Sequence, residues 1–253
     1  MIVTLTTDFG LSDFYVAQMK GALFQQCPQV TLVDGTHDVP PQDVAAGAIA
    51  VERAVAGFGP GTVHVAVLDP GVGTDRRLLA VEVGGQVVLL PDNGLVTWAW
   101  WRIGNAVAHE LSWRPQRGAS DTFHGRDILA PAAGLLAGGT PLVALCGPRV
   151  ESPVLLDLAP AEAGATVGRV IHIDRYDNAM TNVSRDVLAS LGSAAHIGIG
   201  RHTLGPVRRT YADVPVGHPV ALVGSSELLE IAVRNGSVSA TLGVRVGDEV
   251  RLT

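Results

Sequence analysis

Residues 62–77 read Thr-Val-His-Val-Ala-Val-Leu-Asp-Pro-Gly-Val-Gly-Thr-Asp-Arg-Arg. The first seven, rich in β-branched side chains, have the make-up of a strand buried on both faces. Asp69 ends the strand, and Pro70, Gly71 and Gly73 force a tight turn. A hairpin follows, not a helix: Leu79–Val83, the turn Gly84-Gly85, then Val87–Leu90. A Gly-x-Gly turn could cradle phosphate, but Lys-Ser/Thr is missing and no helix begins there, which argues against a P-loop. The stretch thus carries a carboxylate to the end of a buried strand and supplies arginines seven and eight residues later. Such a pair serves equally as a structural ion pair or as part of a site.

Working outward, Ile2–Thr6 reads as a strand, Phe14–Phe24 as a helix, Val30–Val33 as a strand and Val44–Val55 as an Ala-rich helix. Leu95–Ile103 and Ile128–Ala137 read as helices. This alternation predicts an α/β domain over residues 1–160 with a mostly parallel sheet. From Pro141 to Ala165 the prolines predict an extended crossing. Short strands then dominate: Thr166–Ile173, Ala194–Ile199, Val207–Tyr211, Val220–Val223, Leu228–Val233 and Val250–Leu252, with Arg185–Leu191 the only helix. They predict a small β-barrel or sandwich domain over residues 161–253.

Of 253 residues, 47 % are hydrophobic and 17 % charged. Even so, the longest apolar runs are far too short to span a bilayer, and no secretory leader pattern opens the chain, so a cytoplasmic protein without membrane partners is expected. A net charge of −6 without a Lys/Arg cluster argues against nucleic acid and is compatible with a cationic substrate. Cys27 and Cys146 are far apart and read as reduced thiols.

Four further segments could carry chemistry. Asp8, in Thr6-Thr7-Asp8-Phe9-Gly10, follows the first strand, where a ribose diol could be held, or else caps the next turn; the dinucleotide fingerprint is absent. In Thr122-Phe123-His124-Gly125-Arg126-Asp127, capping by Thr122 or Asp127 accounts for part of the segment but not for His124. Asn178 and Asn182, in the segment from Asp174 to Asn182, and the Gly224-Ser225-Ser226 loop could hold polar ligand groups or stabilise turns. No HExxH and no Cys/His spacing suggests a metal site, so no metal or other cofactor is expected.

Together and in this order, TTDFG, THDVPPQD at 36–43, LDPGVGTDRR, PDNG at 91–94, TFHGRD, DRYDNAMTN and GSSELLEIA at 224–232 resemble the SAM hydroxide adenosyltransferase family, the S-adenosyl-L-methionine (SAM) hydrolases, which are related to the fluorinases and chlorinases. The resemblance implies an α/β domain joined to a small β-barrel and hydrolysis of SAM at ribose C5′ to adenosine and L-methionine. It implies that Asp69, Arg76 and His124 handle the water, with Arg77 left on the surface, and that Asp8 holds the ribose hydroxyls. Asn178, Ser225 and Ser226 would contact the rest of SAM, in a homotrimer with its sites at subunit interfaces. Many relatives have Asn where Gly224 stands and Gly where Glu227 stands. The alternatives are a halide-using SAM enzyme, which would need an uncharged halide pocket, and a non-catalytic SAM- or adenosine-binding protein, which would not need the trio.

Overall fold

The computed structural model describes residues 1–192 and 195–253. It divides into two compact units, Met1–Asp157 and Leu158–Thr253. The first unit runs β1 (Ile2–Thr7), α1 (Tyr15–Gln26), β2 (Thr31–Thr36), α2 (Val44–Gly57), β3 (Val63–Val67), β4 (Leu78–Val83), β5 (Gln86–Pro91), α3 (Thr97–Ile103) and β6 (Val107–Leu111). A π-helical turn (Gly125–Leu129) then leads directly into α4 (Ala130–Ala137), and a 3₁₀ turn (Leu142–Ala144) and β7 (Cys146–Val150) complete it.

Alternation of buried side chains explains the layering. Val63, Val65 and Val67 of β3 pack with Met19 and Leu23 of α1 and with Ala132 and Ala133 of α4. On the other face Ala66 and Leu68 pack with Val51 and Val55 of α2 and Ala99 of α3. A strand buried at every position fits only between two such layers, and its one polar side chain, His64, is satisfied there by Thr4 and Gln86.

The sheet order is β2-β1-β3-β5-β4-β6-β7. The pairs β1–β2, β1–β3 and β3–β5 are parallel, whereas β4–β5, β4–β6 and β6–β7 are antiparallel. The expectation of a mostly parallel sheet is corrected here: the sheet is mixed. The β4–β5 hairpin turns at Gly84 and Gly85, both at positive φ (59° and 75°), and from β5 outward each strand runs opposite to its neighbour. The two strands that extend this antiparallel half, β6 and β7, were not expected; β7 lies in the stretch read as an extended crossing.

The second unit contains β8 (Val167–Ile173), β9 (Ala179–Ser184), α5 (Arg185–Leu191), β10 (His196–Ile199), β11 (His202–Pro206), a 3₁₀ turn (Tyr211–Asp213), β12 (Pro219–Val223), β13 (Leu228–Val233), α6 (Val238–Leu242) and β14 (Glu249–Leu252). Its antiparallel sheet has the order β11-β10-β14-β8-β9-β13-β12, and an isolated bridge from Arg208 to Leu222 brings the two edges together into a nearly closed barrel. Closure of this kind removes exposed edges.

The strand expected at Val207–Tyr211 is not formed. The strand is His202–Pro206, and the Asp213 carboxylate then accepts the N–H groups of Arg209 and Thr210, turning the chain into a 3₁₀ turn. β9 and α6 were also missed. The expected start of β10 at Ala194 lies outside the described residues.

Candidate active site

Parallel strands deliver their following loops to one edge of a sheet, and in open α/β sheets ligands bind at that carboxyl edge. Asp8 follows β1 and Asp69 follows β3. Arg76 precedes β4, whose first residue, Leu78, pairs with Pro91 at the carboxyl end of β5. His124 joins them through two close approaches that only glycine allows. A Cβ at Gly73 (φ 79°) would stand 2.6 Å from the Asp121 carbonyl, and one at Gly125 would stand 3.1 Å from Val67 Cγ1.

The three residues expected to act together are in direct contact. Arg76 donates from Nε to Asp69 Oδ1 (2.5 Å) and from Nη2 to Asp69 Oδ2, and Nη2 also donates to His124 Nδ1 (3.0 Å). The Asp69 and Arg76 side chains are 5 % and 9 % exposed. A guanidinium can only donate, so the lone pair of His124 lies on Nδ1 and its proton on Nε2. Burial pushes the His124 pKa below its ordinary 6.5, with the adjoining Arg76 cation next in effect. The imidazole is therefore neutral near pH 7.

Asp69 and His124 line a pocket of about 180 Å³ together with Asp8, Phe9, Gln42, Val67, Pro70, Val72, Thr122, Phe123 and Gly125. Arg76 stands behind this wall and grips the two polar groups that form it. The Asp8 carboxylate does not cap its own turn: Oδ2 accepts the backbone N–H of Gln42 (2.8 Å) from the loop before α2. Gln42 holds a left-handed backbone (φ 64°), unusual away from glycine. Phe123 packs against Phe9 and Tyr15 with ring centroids 5.8 and 5.5 Å apart, tying the Asp8 loop to the His124 segment.

Several expectations are revised. Neither Thr122 nor Asp127 caps the helix: the Thr122 hydroxyl meets Ser120 Oγ, and Asp127 accepts from Ser120 N–H and from Arg126. Arg77 is exposed, as expected, yet it is paired. Its Nε donates to Asp92 Oδ2 (2.8 Å), a carboxylate 3 % exposed, and its Nη2 donates to the Ser152 carbonyl. Gln42, Phe9 and Phe123 were missed as pocket residues; only their membership of the TTDFG, THDVPPQD and TFHGRD segments pointed to them. Among the described residues no three His, Cys, Asp or Glu side chains converge as metal ligands.

Residues 3–146 match the model of the SAM hydroxide adenosyltransferase N-terminal domain, and residues 168–251 match that of its C-terminal domain. The chain belongs to the SAM hydroxide adenosyltransferase family. A Thermus thermophilus relative, an (R)-S-adenosyl-L-methionine hydrolase, is 41 % identical, with 99 % of this chain and 98 % of the relative covered. A Salinispora arenicola protein of the same name is 38 % identical over 99 % and 97 %. A fluorinase from Actinopolyspora mzabensis is 28 % identical over 100 % and 97 %. Among solved structures, an uncharacterised conserved protein from Thermotoga maritima superposes with a TM-score of 0.91 at 33 % identity, covering both chains completely.

The other expected ligand residues of this SAM hydroxide adenosyltransferase lie in the second unit, in two turns. In the β8–β9 turn, Asp174 Oδ1 accepts the N–H groups of Tyr176 and Asn178, and Asn178 Nδ2 donates to Asp174 Oδ2 (3.3 Å). Ser225 and Ser226 form the β12–β13 turn, with Ser226 buried and Ser225 exposed. Asn182 donates from Nδ2 to the Ala159 carbonyl and accepts the Arg169 N–H, which is a structural use.

Of the two family departures, Gly224 has a local cause, whereas at Glu227 the backbone still favours the glycine of the relatives. A Cβ at Gly224 would stand 2.6 Å from Glu230 Oε2, so the glycine leaves room for that carboxylate. Glu227 has φ 59°, the conformation for which glycine is suited.

Proposed function

We propose that this protein hydrolyses S-adenosyl-L-methionine at the ribose 5′-carbon, giving adenosine and L-methionine. The observation that carries the reading is the hydrogen-bonded Asp69–Arg76–His124 set, two of whose members form the wall of a pocket that also contains Asp8. The names of the relatives, identical at 38–41 % over nearly the whole chain, support it. They also specify the (R) sulfonium epimer, which we take as the preferred substrate.

The mechanism follows from the charges. The substrate sulfonium departs as a neutral thioether, so neither a general acid nor a Lewis acid is required at the leaving group, and no metal is invoked. Bulk water is a weak nucleophile, with a pKa of about 15.7. Asp69 and the Nε2–H of His124 hold one water in line with the C5′–S bond. As the C5′–O bond forms, the C5′–S electron pair passes to sulfur and the water proton passes to Asp69. His124 Nδ1 already accepts from Arg76, so the histidine orients the water and Asp69 takes the proton. Arg76, bonded to both Asp69 and His124, fixes the two groups relative to each other. Alignment of nucleophile and electrophile can supply roughly 7–11 kcal/mol of the barrier reduction.

Asp8 holds the ribose diol. A pocket of about 180 Å³ is smaller than the roughly 300–1,000 Å³ typical of small-molecule sites, which supports a site completed by further protein surface. We assign that surface to Asn178, Ser225 and Ser226 of a neighbouring subunit in a homotrimer. The free thiols of Cys27 and Cys146 support a cytoplasmic location. The halide-using alternative is disfavoured by the Asp69 carboxylate in the pocket wall.

The test is incubation with (R)- and (S)-SAM separately, in chloride and in fluoride buffers, with chromatography of the products. Adenosine and methionine are expected in every buffer. A 5′-halo-adenosine as main product would select the halide reading, and binding without turnover the sensor reading.

A further inference from the structure

The loop that carries Asp69 and Arg76 is anchored at both ends by one short segment that the mechanism does not use. At its start, Asn93 Nδ2 donates to the carbonyl of Leu68 (2.8 Å), the residue bonded to Asp69. At its end, the Arg77 carbonyl accepts the Asp92 N–H (3.0 Å), while the Asp92 carboxylate takes the Arg77 guanidinium and the Val154 N–H (2.7 Å). Asn93 is partly buried and Asp92 is buried, so these bonds face little competition from water.

Between the anchors the loop is bound mainly to itself, by Val72 N–H to the Asp69 carbonyl and by Thr74, through both N–H and hydroxyl, to the Gly71 carbonyl. Those bonds shape the loop but cannot place it against His124. Arg76 and Arg77 are consecutive, so a fixed Arg77 directs Arg76 toward Asp69 and His124.

We propose that Asn93, with Asp92 as the second anchor, is a positioning residue that sets the Asp69–Arg76 pair in register with His124. This rests on the hydrolase reading only for its activity assay. Both anchors bind loop atoms next to the reacting groups rather than the groups themselves, so their loss moves the pair without removing any chemistry from it. A displacement of about 1 Å in such a site can cost about 10²-fold in rate.

Asn93→Ala, and Asn93→Asp as a variant of equal size that cannot donate to a carbonyl, are compared with wild type in three measurements. Steady-state kinetics should show kcat lowered about 10–100-fold with KM for SAM changed less than about threefold. The imidazole of His124, followed by NMR against pH, should titrate higher than in wild type. The charged groups facing it are Arg76 and Asp69 from the anchored loop, Arg114 from the segment after β6 and Asp121 from its own segment; when the pair moves away, the lowering by Arg76, which outweighs the raising by Asp69, is lost. Thermal unfolding reports stability separately.

A lowered Tm with unchanged kcat and unchanged His124 titration would overturn the proposal, as would failure of both variants to fold, since Asn93 would then serve the fold alone. A wild type that does not turn over SAM defeats the hydrolase reading and leaves the NMR comparison to decide the positioning role.

Discussion

Two turns rich in polar groups behave differently in this molecule. The loop from Asp69 to Arg76 reaches a distant segment: Arg76, which grips Asp69, also donates to His124, 48 residues beyond it. In the β8–β9 turn of the second unit, the expected ligand residue Asn178 is tied locally, bonded four residues back to Asp174, while Asp177 beside it accepts from Ser237 and Ser239. A polar group tied across long sequence separations is preorganised by the whole fold, whereas one tied within its turn is shaped by the turn alone. The first arrangement suits chemistry and the second suits contact with a ligand brought from elsewhere.

The largest effect should come from breaking the preorganised set. Asp69→Asn and His124→Ala are each expected to lower kcat about 10²–10⁴-fold with little loss of SAM binding, measured by product assay beside calorimetry. Loss of SAM binding in both variants would make these residues binding groups. The neutral form of His124 is required, and its folded pKa lies below 6.5. Activity should therefore hold as pH falls from 8 through 6.5 and decline only on further acidification. An acid limb centred above 6.5 would contradict the assigned environment.

Next come the contact residues. Asp8→Ala and Asn178→Ala are expected to raise KM roughly 10–100-fold while kcat falls much less. Mixing the two variants under subunit exchange should recover some activity if one site uses two subunits. A mixture as inactive as its components would put Asp8 and Asn178 of the same chain in one site.

A smaller effect, chiefly on stability, is expected from Arg77→Ala, which removes the side-chain half of the second anchor and keeps its main-chain bond. It leaves the Asp92 carboxylate buried without its cation, which should cost about 1–3 kcal/mol after allowance for the partial exposure of Arg77. Denaturant unfolding measures this, and an unchanged midpoint would deny the pairing a structural role. The smallest effect belongs to the second unit. Glu227→Gly relieves a left-handed backbone at the loss of an exposed pair with Arg185, and should raise stability by about 1 kcal/mol or less. A lower Tm would mean that the pair outweighs the strain.

Much of the site was legible because its residues sit in segments of distinctive composition. Asp69, Arg76, His124 and Asp8 were each marked by strand ends, glycine turns or a histidine without an apolar face. Arg77 lies on the surface as expected, but its pairing was not legible because its partner, Asp92, lies on a different segment, and nothing at residue 77 records that the partner is buried. The anchoring role of Asn93 was hidden for the same reason: a side-chain bond to a main-chain carbonyl leaves no complementary residue type to find.

The sequence by itself determined the strand-and-helix alternation of the first unit, the strand-rich second unit, and which residues could perform chemistry. These follow from local periodicity, turn residues and buried composition, which act over a few neighbours. Only the tertiary structure decided that the first sheet is half antiparallel, that Arg76 bonds both Asp69 and His124, and that His124 carries its proton on Nε2. Each depends on which atoms meet across dozens of residues, through hydrogen bonds such as Arg76 to His124 and close packing such as Gly73 on Asp121. Those meetings are set by the packing of whole elements, and no local property of the chain encodes them.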